Sequence, residues 1–121
     1  MSKHILIVDD EPQVLRLLEL SLQQAGYKVS TAEDGQQALE QVANHKPDLV
    51  IMDSLMPVMD GIEALKRLKS NVATAAIPVV MLTANDCPNE MAKSWESGTD
   101  LFLSKPILTS ELLDYIQTIF N

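Results

Sequence analysis

The chain has 121 residues, 46% of them hydrophobic, and a formal net charge of −8, which fits one domain able to bury a proper core. That charge, with no run of Lys or Arg, argues against direct nucleic-acid binding, because phosphate recognition needs a basic face. The single cysteine, Cys87, excludes an internal disulfide, and the start enters a short strand that is neither a signal peptide nor a membrane span. We therefore expect a cytoplasmic protein with no membrane insertion.

The first predicted strand runs from about His4 to Val8 and ends in Asp9-Asp10-Glu11. A helix follows from about Pro12 to Ala25, with Pro12 suited to the first turn and Gly26 to the stop. Val14, Leu15, Leu18 and Leu22 recur at helical spacing and predict the face that packs on a sheet. Lys28 to Ala32 is a second strand. Asp34 and Gly35 open a helix through about Asn44, with Ala38, Leu39, Val42 and Ala43 expected inward. The third strand, Leu49 to Met52, runs straight into Asp53. Gly61 to about Leu68 or Ser70 forms the third helix, and Pro78 to Leu82 the fourth strand. A fourth helix is predicted over about Pro88 to Glu96, stopping at Gly98, and a fifth strand over Leu101 to Leu103. Thr109 is expected to cap a last helix carrying Leu112, Leu113, Ile116, Ile119 and Phe120.

This is a β-α unit repeated along one domain, residues 1–121. Its continuously apolar strands imply an α/β fold, a parallel sheet covered by helices on both faces. Ligands of such doubly wound sheets bind beyond the carboxyl ends of the strands, at the switch point. In the common order 2-1-3-4-5, strands one and three are neighbours, so Asp9, Asp10 and Asp53 meet there. Two unit charges about 4 Å apart repel by roughly 4 kcal/mol at an effective dielectric near 20. Three gathered carboxylates therefore call for a hard cation. Thr83-Ala84 and Ser104-Lys105, after strands four and five, reach the same rim.

Asp9-Asp10, the run Asp53-Ser54-Leu55-Met56-Pro57-Val58-Met59-Asp60-Gly61, Thr83-Ala84 and Lys105-Pro106 stand in order, each at a strand end. Together they make essentially the whole chain resemble the receiver domain of two-component response regulators, of the chemotaxis-regulator-like kind. The resemblance implies a flavodoxin-like (βα)5 fold with a five-stranded sheet of order 2-1-3-4-5. It implies a phosphoprotein that is not a classical enzyme and promotes its own phosphorylation and autodephosphorylation at Asp53. Mg²⁺ is the implied cofactor, ligated by Asp10 and Asp53, by Asp9 through water, and by the backbone carbonyl of Leu55. Lys105, the Thr83 hydroxyl and the Ala84 N–H would meet the phosphoryl oxygens. The implied donor is a sensor histidine kinase or a histidine phosphotransfer protein. Thr83 and Phe102 would form the switch. The readout would be the face of the fourth predicted helix, the fifth strand and the last helix, serving a downstream effector protein or output domain. Met91 and Trp95, four residues apart on that helix, are expected partly exposed near Phe102 as partner anchors.

The chain also departs from the family pattern. Leu55, two residues after Asp53, offers an attacking water no side-chain partner, which predicts a long phosphorylated lifetime. The last helix has no Arg or Lys from Glu111 onward, against a salt-bridged dimer through that face. Two alternatives compete with the receiver reading. A Mg²⁺-dependent aspartyl-phosphate phosphatase would need an acid at the Leu55 position. A non-phosphorylated pseudo-receiver used for docking would not need the full set Asp10, Asp53, Thr83 and Lys105. The chain ends with its last helix, so no output domain is expected within it.

Overall fold

The computed structural model describes residues 3–54, 56, 58–83, 98–104 and 108–120. The predicted helix over 88–96 lies outside the described residues. The elements are β1 (His4–Val8), α1 (Pro12–Gln24), β2 (Lys28–Ala32), α2 (Gly35–Asn44), β3 (Leu49–Asp53), α3 (Gly61–Ser70), β4 (Val79–Thr83), β5 (Leu101–Ser104) and a last described helix, here α4 (Thr109–Phe120). The strands form one five-stranded sheet of order β2-β1-β3-β4-β5, with all neighbouring pairs parallel. None of the described helices is long and apolar enough to cross a membrane.

Period-two alternation divides the strand side chains between two cores. Leu6, Val8, Val50, Met52, Val79 and Met81 pack against Ala38 and Val42 of α2 and Ile62, Leu65 and Leu68 of α3. Ile5, Ile7, Leu49, Ile51, Val80 and Leu82 pack against Leu18 and Leu22 of α1 and Leu112 and Ile116 of α4. Burial on both faces explains why these strands read as unbroken apolar runs. Each fully buried Leu, Ile, Val or Met contributes about 1.5–3 kcal/mol from surface removed from water.

The helix ends follow local chemistry. The end of α1 is a Schellman motif: Gly26, at φ 97°, donates to Gln23 O, and Tyr27 donates to Leu22 O. Asp34 caps α2 by accepting from Gln37 N–H at 2.8 Å, and Asp60 caps α3 by accepting from Glu63 N–H at 2.8 Å.

Three expectations need correction. Ala43 is exposed, because the buried stripe of α2 is Gly35, Ala38 and Val42, and Ala43 falls beyond its edge. Thr109 is the first helical residue and not the cap: the Leu108 carbonyl already accepts from Leu112 N–H at 3.1 Å. The fourth strand starts at Val79, since Pro78 has no N–H and joins the ladder only by accepting from Val50 N–H at 3.0 Å.

At the amino ends of β4 and β5, Lys69 of α3 forms a clamp. Its ammonium donates to Ile77 O at 2.8 Å, to Ala75 O at 3.2 Å and to Asp100 Oδ2 at 2.9 Å. The same Asp100 oxygen accepts from Val79 N–H at 2.8 Å. This clamp lies at the opposite end of the strands from the acidic residues.

Candidate functional site

Ladder hydrogen bonds carry β1 and β3 past their last apolar residues. Asp9 N–H donates to Ala32 O at 3.1 Å, and Ser54 N–H donates to Leu82 O at 2.8 Å. Because β1 lies between β2 and β3, these extensions deliver Asp9 and Asp53 to one rim. Asp9 and Asp53 are buried and Asp10 is exposed. One carboxylate oxygen from each lies within 4.8 Å of the others. The Asp9 side chain is oriented by the Glu11 N–H, which donates to its Oδ1 at 3.0 Å.

This spacing suits one hard cation. Mg–oxygen bonds of about 2.0–2.1 Å put ligand oxygens roughly 3 Å apart when adjacent and about 4 Å apart when opposed. Small side-chain movements close the difference. At an effective dielectric near 20, two ionised carboxylates at 4.8 Å repel by about 3–4 kcal/mol, which a divalent ion offsets. The donor set is all oxygen, the preference of Mg²⁺ and not of a soft metal.

Two glycines hold the segment between β3 and α3 against this rim. A Cβ at Gly61 would lie 1.9 Å from the Asp53 carbonyl oxygen, so only glycine permits α3 to start there. Gly61 N–H donates to Ser54 O at 3.0 Å. At Gly35 a Cβ would lie 2.6 Å from Met59 O, the oxygen that accepts from Gly35 N–H at 2.9 Å. Between them, Val58 adopts φ 68° with its side chain 84% exposed, a left-handed conformation unusual for a β-branched residue.

Thr83 ends β4, one step beyond the Asp53–Leu82 pairing, and is 1% exposed. Its hydroxyl oxygen accepts from the Ser54 hydroxyl at 2.9 Å, and Ser54 is also 1% exposed. Sequence reasoning passed over Ser54. The available signal was its place after Asp53 in register with Thr83, which becomes visible only once the strand order is known. Phe102 pairs with Met81 in the β4–β5 ladder and is half-buried against the core beneath α2 and α3. Asp9, Asp10 and Asp53 are thus brought together, with Thr83 on the neighbouring strand end. Leu55, Ala84, Met91, Trp95 and Lys105 lie outside the described residues.

Comparison with known proteins agrees with this geometry. The family model described as "Response regulator receiver domain" matches residues 5–117. The alkaline phosphatase synthesis transcriptional regulatory protein PhoP of Bacillus subtilis is 38% identical over 121 residues, covering 100% of this chain and 50% of PhoP. The chain spans about half or less of the length of the curated relatives it matches first. Among solved structures, chemotaxis response regulator CheY4 of Vibrio cholerae superposes with a TM-score of 0.92 at 32% identity, covering 98% of this chain and 99% of that one. The receiver domain of sensor histidine kinase PA1611 from Pseudomonas aeruginosa gives a TM-score of 0.90 at 29% identity, covering 98% and 97%. That structure has a magnesium ion coordinated in its active site cleft. With the fold, the acidic rim and a family match across nearly the whole sequence in agreement, the chain belongs to the response regulator receiver domain family.

Proposed function

We propose that this domain is a phospho-accepting switch in which Asp53 receives a phosphoryl group with the help of Mg²⁺. The observation that carries the reading is the convergence of Asp9, Asp10 and Asp53 at one rim, with buried Thr83 at the neighbouring strand end. Asp10 and Asp53 would ligate the ion, with Asp9 acting through water and the Leu55 carbonyl completing the protein share. Bound Mg²⁺ supplies charge neutralisation where two anions must approach.

The donor is a phosphohistidine of a sensor histidine kinase or phosphotransfer protein, or a small acyl phosphate. One Asp53 carboxylate oxygen attacks phosphorus and an O–P bond forms. From phosphohistidine the P–N bond breaks, its electron pair stays on the imidazole nitrogen, and that nitrogen takes a proton from solvent; from an acyl phosphate the P–O bond breaks and the carboxylate leaves. The product on the domain is an acyl phosphate. Lys105, the Ala84 N–H and the Thr83 hydroxyl hold the three phosphoryl oxygens, so catalysis rests on positioning and neutralisation. The domain thereby promotes its own phosphorylation and later hydrolysis without turning over a general substrate.

The added charge draws Thr83 towards Asp53, and Phe102, on the same sheet face as Thr83, follows by repacking. The face of the 88–96 segment, β5 and α4, with Met91, Trp95 and Phe102, then presents its second state to an effector protein or output domain. Intact-mass measurement after treatment with acetyl phosphate and Mg²⁺ tests the reading. One phosphoryl adduct, absent without Mg²⁺ and absent in Asp53→Asn, supports it. Rapid multiple turnover indicates a phosphatase, and no adduct indicates a docking module.

A further inference from the structure

Ser54 has a buried hydroxyl that the proposed transfer does not use. Its backbone is fixed on both sides: the N–H donates to Leu82 O at 2.8 Å and the carbonyl accepts from Gly61 N–H at 3.0 Å. Its hydroxyl donates to Thr83 Oγ1 at 2.9 Å, and both residues are 1% exposed. Alternation along β3 sends Leu49 and Ile51 to the α1/α4 core and Val50 and Met52 to the α2/α3 core. Continuing that alternation, Asp53 and Ser54 project to opposite faces. Thr83 continues the Val79 and Met81 side of β4, so the Ser54–Thr83 bond belongs to the α2/α3 face, opposite to the face that alternation gives Asp53.

We infer that Ser54 is a positioning residue that latches Thr83 in the unphosphorylated state. The inference rests on the reading of Asp53 as phosphoacceptor and Thr83 as its responding hydroxyl. Threonine χ1 has discrete staggered wells, so Thr83 turns towards a phosphoryl group in one step and gives up the Ser54 bond. Turning thus gives up a hydrogen bond made in a site almost closed to water. One hydrogen bond thus weights the switch towards its resting state, by a factor of about two to twelve for a buried neutral pair. The residue after the phosphoacceptor thereby sets how readily the domain switches, without touching the phosphoryl group.

The test uses the full chain, with beryllium trifluoride and Mg²⁺ as the phosphoryl analogue and the Thr83 methyl resonance as the readout. In Ser54→Ala the ligand-free resonance moves towards the analogue-bound position of the unmodified protein. Apparent affinity for the analogue rises about two- to twelvefold. Ser54→Thr, which keeps the hydroxyl, stays at the original resonance and affinity. An unmoved resonance with unchanged or weaker affinity in Ser54→Ala overturns the latch alone. Failure of the unmodified protein to take up the analogue overturns the phosphoacceptor reading and the latch with it.

Discussion

Gly61→Ala asks whether the acidic rim depends on one close backbone approach. The added Cβ would sit 1.9 Å from the Asp53 carbonyl oxygen, 2.9 Å from the Asp53 carbonyl carbon and 3.1 Å from Met81 Cε. Carbon atoms do not approach backbone oxygen below about 3 Å, so the start of α3 and the end of β3 must separate by about 1 Å or more. Overpacking against mobile side chains costs about 1–3 kcal/mol, and a backbone partner places this case at the upper end. The intrinsic helix preference of Ala over Gly returns at most about 1 kcal/mol. We expect a net loss of about 2 kcal/mol in urea unfolding. Because the moving atoms carry Asp53, the stabilisation of the native state by millimolar Mg²⁺ should shrink in the variant. Gly26→Ala is the control. Gly26 has φ 97°, and an added methyl there would meet nothing within 4 Å, so its substitution costs about 1–2 kcal/mol of dihedral strain and leaves the Mg²⁺ response intact. A Gly61→Ala variant with unchanged stability and unchanged Mg²⁺ response would show that the rim does not depend on this close approach.

Three other outcomes are expected. Val58→Gly should stabilise the fold by about 0.5–1 kcal/mol, since relief of the left-handed strain at φ 68° exceeds the entropy cost of glycine and an 84% exposed side chain gives up little packing; a lower melting temperature counts against this. Lys69→Met keeps the aliphatic stem but leaves Ile77 O and Asp100 without the ammonium, at a cost of about 1–3 kcal/mol in urea unfolding. Its Mg²⁺ response should be unchanged, because the clamp is at the far end of the strands. Asp10→Asn should remove most of the stabilisation given by Mg²⁺, measured as the shift in thermal midpoint; a full shift would show that Asp10 is not a ligand.

Most of the fold was legible because it rests on patterns that local chemistry enforces. Doubly buried strands give apolar runs such as Ile5 to Val8, and Pro12, Gly26, Asp34 and Gly61 mark helix limits. The acidic cluster was legible because three carboxylates stand at the ends of two such strands. What escaped depends on register and contact. The Ser54–Thr83 bond needs β3 and β4 aligned to the residue, and nothing in an isolated Ser announces it. Nothing in the sequence singles out Lys69, a basic residue near a helix end, whereas its clamp joins segments up to 31 residues away. Gly61 reads as the start of the third helix, as the structure has it, but the closeness of Asp53 O to it is a tertiary fact. Ala43 and Thr109 were misplaced because an alanine or a threonine at the margin of a helix carries too little chemistry to decide its own side or cap.

Asp53 is the proposed acceptor of the phosphoryl group. Borohydride reduces an acyl phosphate at aspartate to homoserine, leaving a mass-resolved mark at the acceptor. After treatment with acetyl phosphate and Mg²⁺, peptide mapping should find that mark at Asp53, and at neither Asp9 nor Asp10. A mark confined to another residue, or none in protein that has taken up Mg²⁺, would rule out Asp53 as the acceptor.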